Sequence, residues 1–263
     1  MGVLNLTPDS FADGGSIASP EAAYDRMGGM ACDGAAICDI GAESTRPGAL
    51  PVPVEEELRR LEPVFRLLRA RGAPLPVSID TSKAAVAAAA IEAGAVMVND
   101  ITAGRGDEAM FALVADRGTD LCLMHMRGDP RTMQDDPRYA DVVQEVGDFL
   151  EGRIAAAVAA GVREERIVVD PGVGFGKTLE HNLALLAGIP VLAARLGRPI
   201  LVGLSRKGMI GALTGRDTAG RLAGSLAGAL AGVARGAAAV RVHDVAETVD
   251  ALTVWKAIEE AGR

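Results

Sequence analysis

Polar and charged residues recur at one kind of place in this chain, directly after short apolar runs. In order they are Asn5, Asp39, Asp80, Asn99 with Asp100, His125, Asp170, Ser205-Arg206-Lys207, and Arg241 with His243. A carboxylate accepts two parallel N–H bonds, and an amide both donates and accepts. Brought together, Asp80, Asn99 and Asp170 suit a flat heterocycle with an amidine-like edge, such as a 2-amino-4-oxopyrimidine. Arg46, Arg206, Lys207, Arg241 and His243 add cations and donors that suit a phosphate or carboxylate, which Arg grips by its planar fork and Lys as a point charge. A heterocycle joined to a phosphate fits this set better than a sugar or a lipid. Individual members have a plainer reading, since Asp39 or Asp100 could bond loop amides or orient neighbours.

The stretch DPGVGFGKT (170–178) looks like a phosphate-binding loop, but its count is wrong. That pattern needs a glycine six positions before the lysine, and the residue there is Pro171. An aspartate opening a glycine-rich turn suits contact with a heterocycle instead. Lys177 is read either as a surface residue or as the partner of a loop carboxylate.

The elements that must position these residues are legible as a repeat. Eight apolar runs, Gly2–Leu6, Ala35–Ile40, Pro76–Ile79, Ala95–Val98, Leu121–Met124, Arg166–Val169, Ile200–Leu204 and Ala238–Val242, read as strands. Helical faces lie between them: Val54, Leu58, Leu61, Phe65 and Leu68; then Val142, Val146, Phe149, Ile154 and Val158; then Val245, Val249, Leu252 and Trp255. Eight strand–helix units in 263 residues predict an α/β protein of the (β/α)₈ TIM-barrel class, with a doubly wound open sheet as the alternative. No linker or low-complexity tract divides the chain, so residues 1–263 read as a single barrel domain. In such a barrel all the strand-end residues meet at one mouth. Three long irregular loops, at 7–20, 42–53 and 126–137, read as binding loops or lids.

Composition narrows the partners. The net charge of −8 disfavours nucleic acid and anionic membranes. Cys32, Cys38 and Cys122 sit in apolar stretches without paired spacing, which suits a reducing, cytoplasmic setting. The start, MGVLNLTPDS, has neither the basic nor the apolar region of a signal peptide. Small apolar residues between Ala219 and Val240, interrupted by Arg221 and Arg235, read as a buried helix with close neighbours or as a subunit interface.

Eight motifs then occur in order: NLTPDSFADGG (5–15), DIGAESTRPG (39–48), SIDTSK (78–83), VND (98–100), LMHMRG (123–128), DPGVGFGK (170–177), GLSRKGMIG (203–211) and RVHDV (241–245). With them the chain resembles the dihydropteroate synthase family of pterin-binding enzymes over nearly its full length. It departs from the family pattern at Ala42, where Gly is frequent, and at Gly208, where larger or hydroxylated residues are. The family usually carries a segment upstream of the first strand, and this sequence opens almost directly on that strand, as a trimmed start would.

The resemblance implies a (β/α)₈ barrel, commonly a homodimer, that condenses 6-hydroxymethyl-7,8-dihydropterin diphosphate with 4-aminobenzoate. It implies Mg²⁺ as the cofactor and sulfonamides as mimics of the aminobenzoate. On this footing Asp170 holds the pterin's 2-amino and ring N–H edge, and Asp80 and Asn99 complete the ring contacts. Met124 and the stem of Lys207 pack on the ring, and Asn5 helps place Mg²⁺. Arg46, Arg241 and His243 hold the diphosphate, and Asp13 favours a carbocation electrostatically. Phe11, Thr45, Pro47, Phe175, Ser205 and Lys207 line the aminobenzoate pocket, with packing as the plainer role for Phe11 and Phe175. The implied course is SN1-like, with little acid–base work, because an arylamine is already neutral. Two rivals stay open: the pterin-binding domain of a corrinoid-linked methyltransferase, which needs no diphosphate clamp, and a non-catalytic pterin-binding paralogue.

Overall fold

Short runs of Val, Ile, Leu and Cys alternate with Ala-, Leu- and Glu-rich stretches, and the backbone follows that alternation. The computed structural model describes residues 1–6, 19–46 and 48–262. Its strands are β1 (Gly2–Asn5), β2 (Cys38–Gly41), β3 (Val77–Asp80), β4 (Met97–Asp100), β5 (Asp120–Met124), β6 (Ile167–Asp170), β7 (Leu201–Val202) and β8 (Ala239–Val240). All eight runs are therefore strands, although β7 and β8 are shorter than the apolar pattern predicts. Strands β1 to β6 pair in sequence order and in parallel, and β7 pairs with β8 in the same sense.

Two bridges close the ring. Val169 of β6 bridges Ile200, just before β7, and Val242, just after β8, bridges Gly2 of β1. Val3 N donates to Val242 O at 3.0 Å, and Val242 N donates to Met1 O at 2.9 Å. An open sheet would leave β1 and β6 as edges; here each has neighbours on both sides, so the barrel reading holds.

Parallel strands buried on both faces need apolar helices outside them. Helix α1 (Pro20–Cys32) is N-capped by Ser19. It is followed by α2 (Val54–Arg71), α3 (Ala84–Glu92) and α4 (Met110–Arg117), then by α5 (Val142–Ala159), which Asp141 caps. After β6 the chain makes two helices, α6 (Leu179–Ala187) and α7 (Ile189–Leu196), which break at Gly188. Helices α8 (Gly208–Thr214), α9 (Leu222–Val233) and α10 (Val245–Ala261) complete the outer layer. In α2 the apolar face is spent on the core, with Leu61, Val64, Phe65 and Leu68 all buried. Each such side chain contributes about 1.5–3 kcal/mol of burial.

Helix α9 corrects one expectation. The small apolar segment is not buried all round: only Ser225, Ala229 and Gly232 of the helix are buried. Leu226 and Leu230 instead line a groove with Val254, Trp255 and Ile258 of α10. Glycines and alanines here thin the helix so that it lies close to the barrel, which leaves its outer stripe uncovered. Among the described residues no single helix is long and apolar enough to cross a membrane.

Candidate active site

The floor of the mouth is set by strand register. Asp80 and Asn99 are direct partners on β3 and β4, and Met124 pairs with Asp170 across β5 and β6. In a parallel pair such partners project to the same side, so four residues far apart in sequence enter one space. Asp39 of β2 lies beneath them, fully buried. Its Oδ2 accepts Asn99 Nδ2 at 3.0 Å and Arg241 Nε at 2.6 Å. Arg241 also donates through Nη2 to Asp80 Oδ2 at 2.8 Å.

This network sets the charges. Burial raises the Asp80 carboxyl to about 7, against the pull of Arg241. Burial would lower the Arg241 guanidinium, but the carboxylates of Asp39 and Asp80 raise it more, so it stays a cation. Asp39 takes the orienting role that sequence allowed it. Asp100 takes the other plain one: its carboxylate accepts Thr102 N, Thr102 Oγ1 and Gly104 N, each at 2.7 Å.

The DPGVGFGKT stretch forms a turn folded over a lysine. Asp170 Oδ1 accepts Gly172 N at 2.7 Å, and burial raises its carboxyl while Lys207 draws it down. Gly172 has φ +69°, and a Cβ there would lie 1.8 Å from His125 O, so no other residue fits. Both sequence readings of Lys177 fail here. It is buried, and its ammonium donates to Gly172 O and Phe175 O at 2.9 Å each and lies 2.9 Å from His125 Nδ1. The glycine turn aims its carbonyls inward, and the long lysine stem reaches under it to satisfy them. Burial brings Lys177 down to about 7 and His125 to about 2, so His125 is the neutral acceptor. No sequence period marks this pair; a Lys seven residues past the strand-end Asp was the available signal.

Lys207 reaches the same turn from the opposite side. Its Nζ donates to Val173 O at 2.5 Å and sits 4.5 Å above the Phe175 ring. Burial lowers it to about 8, with Asp170 opposing. The preceding Arg206 adopts a left-handed φ of +58°, held by Ser225 Oγ on its N–H at 2.9 Å and by Asp244 on its guanidinium. Arg206 therefore faces α10, away from the ligand set that sequence assigned it to. Ser205 joins the seventh strand end to the eighth: its Oγ accepts His243 N at 3.2 Å and lies 3.1 Å from His243 Nδ1. Burial first, then Arg241, lowers His243 to about 4, so it is a neutral donor and acceptor near neutral pH.

Met124, Met126, Met133 and Ile101 form a buried apolar slab against which Phe175 packs. Met126 and Met133 were not among the sequence candidates; polarizable methionines near a flat-ring site were the missed signal. Thr45 is half-buried and Arg46 exposed in the second loop. Arg46 is close enough to His243 to help depress its pKa. Asn5 closes β1, half-buried. Phe11, Asp13 and Pro47 lie outside the described residues. The structure thus brings Asp80, Asn99, Met124, Asp170, Phe175, Ser205, Lys207, Arg241 and His243 to one end of the barrel.

A closed (β/α)₈ barrel with buried carboxylates, an amide and paired cations at the C-terminal mouth is an enzyme architecture of the kind that binds a polar heterocycle. The profile of the family described as pterin binding enzyme matches residues 1–243. A dihydropteroate synthase of Neisseria meningitidis serogroup C is 48% identical over 261 residues, 98% of this chain and 92% of that one. The structure of the Xanthomonas albilineans dihydropteroate synthase with 4-aminobenzoic acid superposes with a TM-score of 0.90 at 52% identity, covering 98% of this chain and 92% of that one. The Burkholderia cenocepacia dihydropteroate synthase complexed with 7,8-dihydropteroate gives 0.87 at 48% identity, covering 100% and 92%. The chain belongs to the pterin-binding enzyme family, among the dihydropteroate synthases.

Proposed function

We propose that this protein is a transferase that condenses 6-hydroxymethyl-7,8-dihydropterin diphosphate with 4-aminobenzoate, giving 7,8-dihydropteroate and diphosphate in folate biosynthesis. The observation that carries the reading is the meeting of Asp80, Asn99, Asp170 and Lys207, from four strand ends, in one buried mouth. In this reading Asp170 takes the 2-amino and ring N–H edge of the pterin through Oδ2, since Oδ1 already accepts Gly172 N. Asn99 and Asp80 complete the ring edge, and the methionine slab with the Lys207 stem covers its face.

At the rim, Arg46 and His243 hold the diphosphate. Arg241 adds Nη1, the guanidinium nitrogen without a partner among the described residues; Nε and Nη2 are committed to Asp39 and Asp80. The C–O bond between the pterin methylene and the diphosphate breaks first, and the electron pair leaves with the diphosphate. The ring nitrogens share the positive charge, in an SN1-like course. The neutral arylamine then forms the C–N bond and releases its proton to water. Thr45, Ser205, Phe175 and Lys207 receive the aminobenzoate, where sulfonamides would compete. On the sequence resemblance alone, Phe11 and Pro47 belong to the same pocket, and Asp13 lies near the carbocation and favours it electrostatically.

Mg²⁺ fits the donors present. Asn5 offers one hard oxygen ligand at the end of β1, and no cluster of three His, Cys, Asp or Glu among the described residues forms a protein-only cage. A cation held by one amide, water and substrate phosphate matches that set. Bound there, it would neutralise charge on the departing diphosphate. We assign the uncovered groove between α9 and α10 to a homodimer interface, to be checked by sedimentation. The free, unpaired Cys32, Cys38 and Cys122 support a cytoplasmic location.

A coupled assay for diphosphate release tests the activity. Release that requires both the pterin diphosphate and 4-aminobenzoate is expected. Pterin binding by calorimetry without release, at any Mg²⁺ concentration, would overturn the reading in favour of a non-catalytic binder. Methyl transfer to a corrinoid in its place would favour that rival.

A further inference from the structure

We propose that Lys83 is a positioning residue that clasps the second loop over the mouth and thereby sets the affinity for the second substrate. The inference rests on the proposed function, and it begins from an ion cluster that none of the assigned roles uses. Lys83 sits at the N-cap of α3, three residues beyond Asp80. Its ammonium binds Glu57 Oε2 at 2.6 Å and, in the same grip, Glu43 Oε2.

Glu43 and Glu57 belong to opposite sides of the loop. Glu43 opens it, and Glu57 lies in the first turn of α2, which follows it. The Glu43 carboxylate also accepts Val52 N through Oε1 at 2.9 Å, so one side chain ties residue 43 to residue 52. Arg60 of α2 donates to Ala42 O at 2.8 Å and holds the loop's entry from outside. Between the ties the loop carries Thr45 and Arg46, and Gly48 N reaches across to Pro130 O at 2.9 Å, in the loop after β5. The clasp thus joins the start of α3, three residues past Asp80, to a loop that meets the loop after β5 and carries Arg46 near His243.

Energetics point away from a purely stabilising role. Glu57 is fully buried and its Oε1 has no partner among the described residues. One lysine against two carboxylates leaves the cluster with an excess negative charge in a half-buried place. Buried ion clusters seldom stabilise more than well-packed apolar side chains would, and in some proteins their role is to fix one geometry. Here that geometry is the height and reach of Thr45 and Arg46.

The test is Lys83→Met in the full chain. We expect the KM for 4-aminobenzoate, whose pocket takes Thr45, to rise about tenfold, while the Kd for pterin diphosphate, which the strand-end residues, Arg241 and His243 still hold when Arg46 shifts, rises by only about threefold in calorimetry. Amide exchange in residues 44–52 should quicken by about tenfold or more, and Lys83→Arg should restore most of both effects. Glu43→Gln, which keeps the Lys83–Glu57 pair and frees only the loop, should reproduce the KM effect and serves if Lys83→Met does not fold. An unchanged aminobenzoate KM with unchanged loop exchange overturns the clasp. So does an equal loss for both substrates, which is the mark of general destabilisation. Wild-type protein that releases no diphosphate would sink the proposed function instead, and the exchange data would still judge the clasp.

Discussion

Asp80 and Asn99 face each other as register partners on adjacent strands, held by a continuous backbone ladder. Glu43 and Lys83 meet across 40 residues of chain through side chains alone. Both pairs serve the same mouth. The first pair is placed by β-sheet geometry, which tolerates surface change elsewhere; the second is placed by one ion cluster, which a single substitution can release. The difference divides the site into a rigid floor, suited to reading a fixed heterocycle, and an adjustable rim, suited to admitting a second substrate. Lys207 stands between the two, near Asp170 below and stacked on Phe175 above.

The strongest way to break this division is at the floor. Gly172→Ala would drive a Cβ into His125 O at a φ of +69°, so the turn must move or the chain unfold. We expect about 3 kcal/mol or more of lost stability in urea denaturation. A wild-type midpoint would show that the floor is not rigid. Next in size, Asp170→Asn should weaken pterin binding by about 1.5–3 kcal/mol in calorimetry, because a charge-assisted acceptor is replaced by an amide. The aminobenzoate KM measured at saturating pterin should change little; a parallel rise would merge floor and rim.

The pH profile sharpens the boundary. Asp80 is raised to about 7, so its carboxylate forms as pH rises through that value. Lys207 is lowered to about 8, so its ammonium is lost as pH rises further. The kcat/KM for pterin diphosphate should therefore peak between these values and fall by up to about tenfold per pH unit on each side, with apparent values belonging to the cluster. Lys207→Arg, which keeps its charge, should flatten the alkaline limb and spare the acid one. The smallest effect is expected at Lys177→Met. It strands Gly172 O and Phe175 O but also removes a buried charge, so the net cost should be about 1 kcal/mol by urea denaturation. A cost as large as that of Gly172→Ala would make the lysine, rather than the glycine, the floor's main support.

The floor was the legible part of the molecule. Apolar runs ending in Asp, Asn, Ser-Arg-Lys or Arg-Val-His mark strands and their exits, and a barrel gathers exits at one end whatever the details. Arg206 escaped this logic. It shares its motif with Lys207, yet a left-handed backbone turns it toward Asp244, and only the contacts of Ser225 and Asp244 decide that. Lys83 and Lys177 escaped it too. Each lies just past a strand-end aspartate, where sequence cannot say whether a long stem runs to solvent or to a distant partner.

The chain's own order of residues determined the eight-unit repeat, the strand ends and the polar set they deliver, because those follow from local periodicity and from how a parallel barrel must close. Folding alone decided which cations are spent inside the protein and which remain for a ligand. Arg241 is divided between two carboxylates, Lys177 is consumed by a turn, and Lys83 by Glu43 of a loop and Glu57 of α2. Such pairings depend on distances between residues remote in sequence, and the reach of a flexible side chain is settled only once its neighbours are in place.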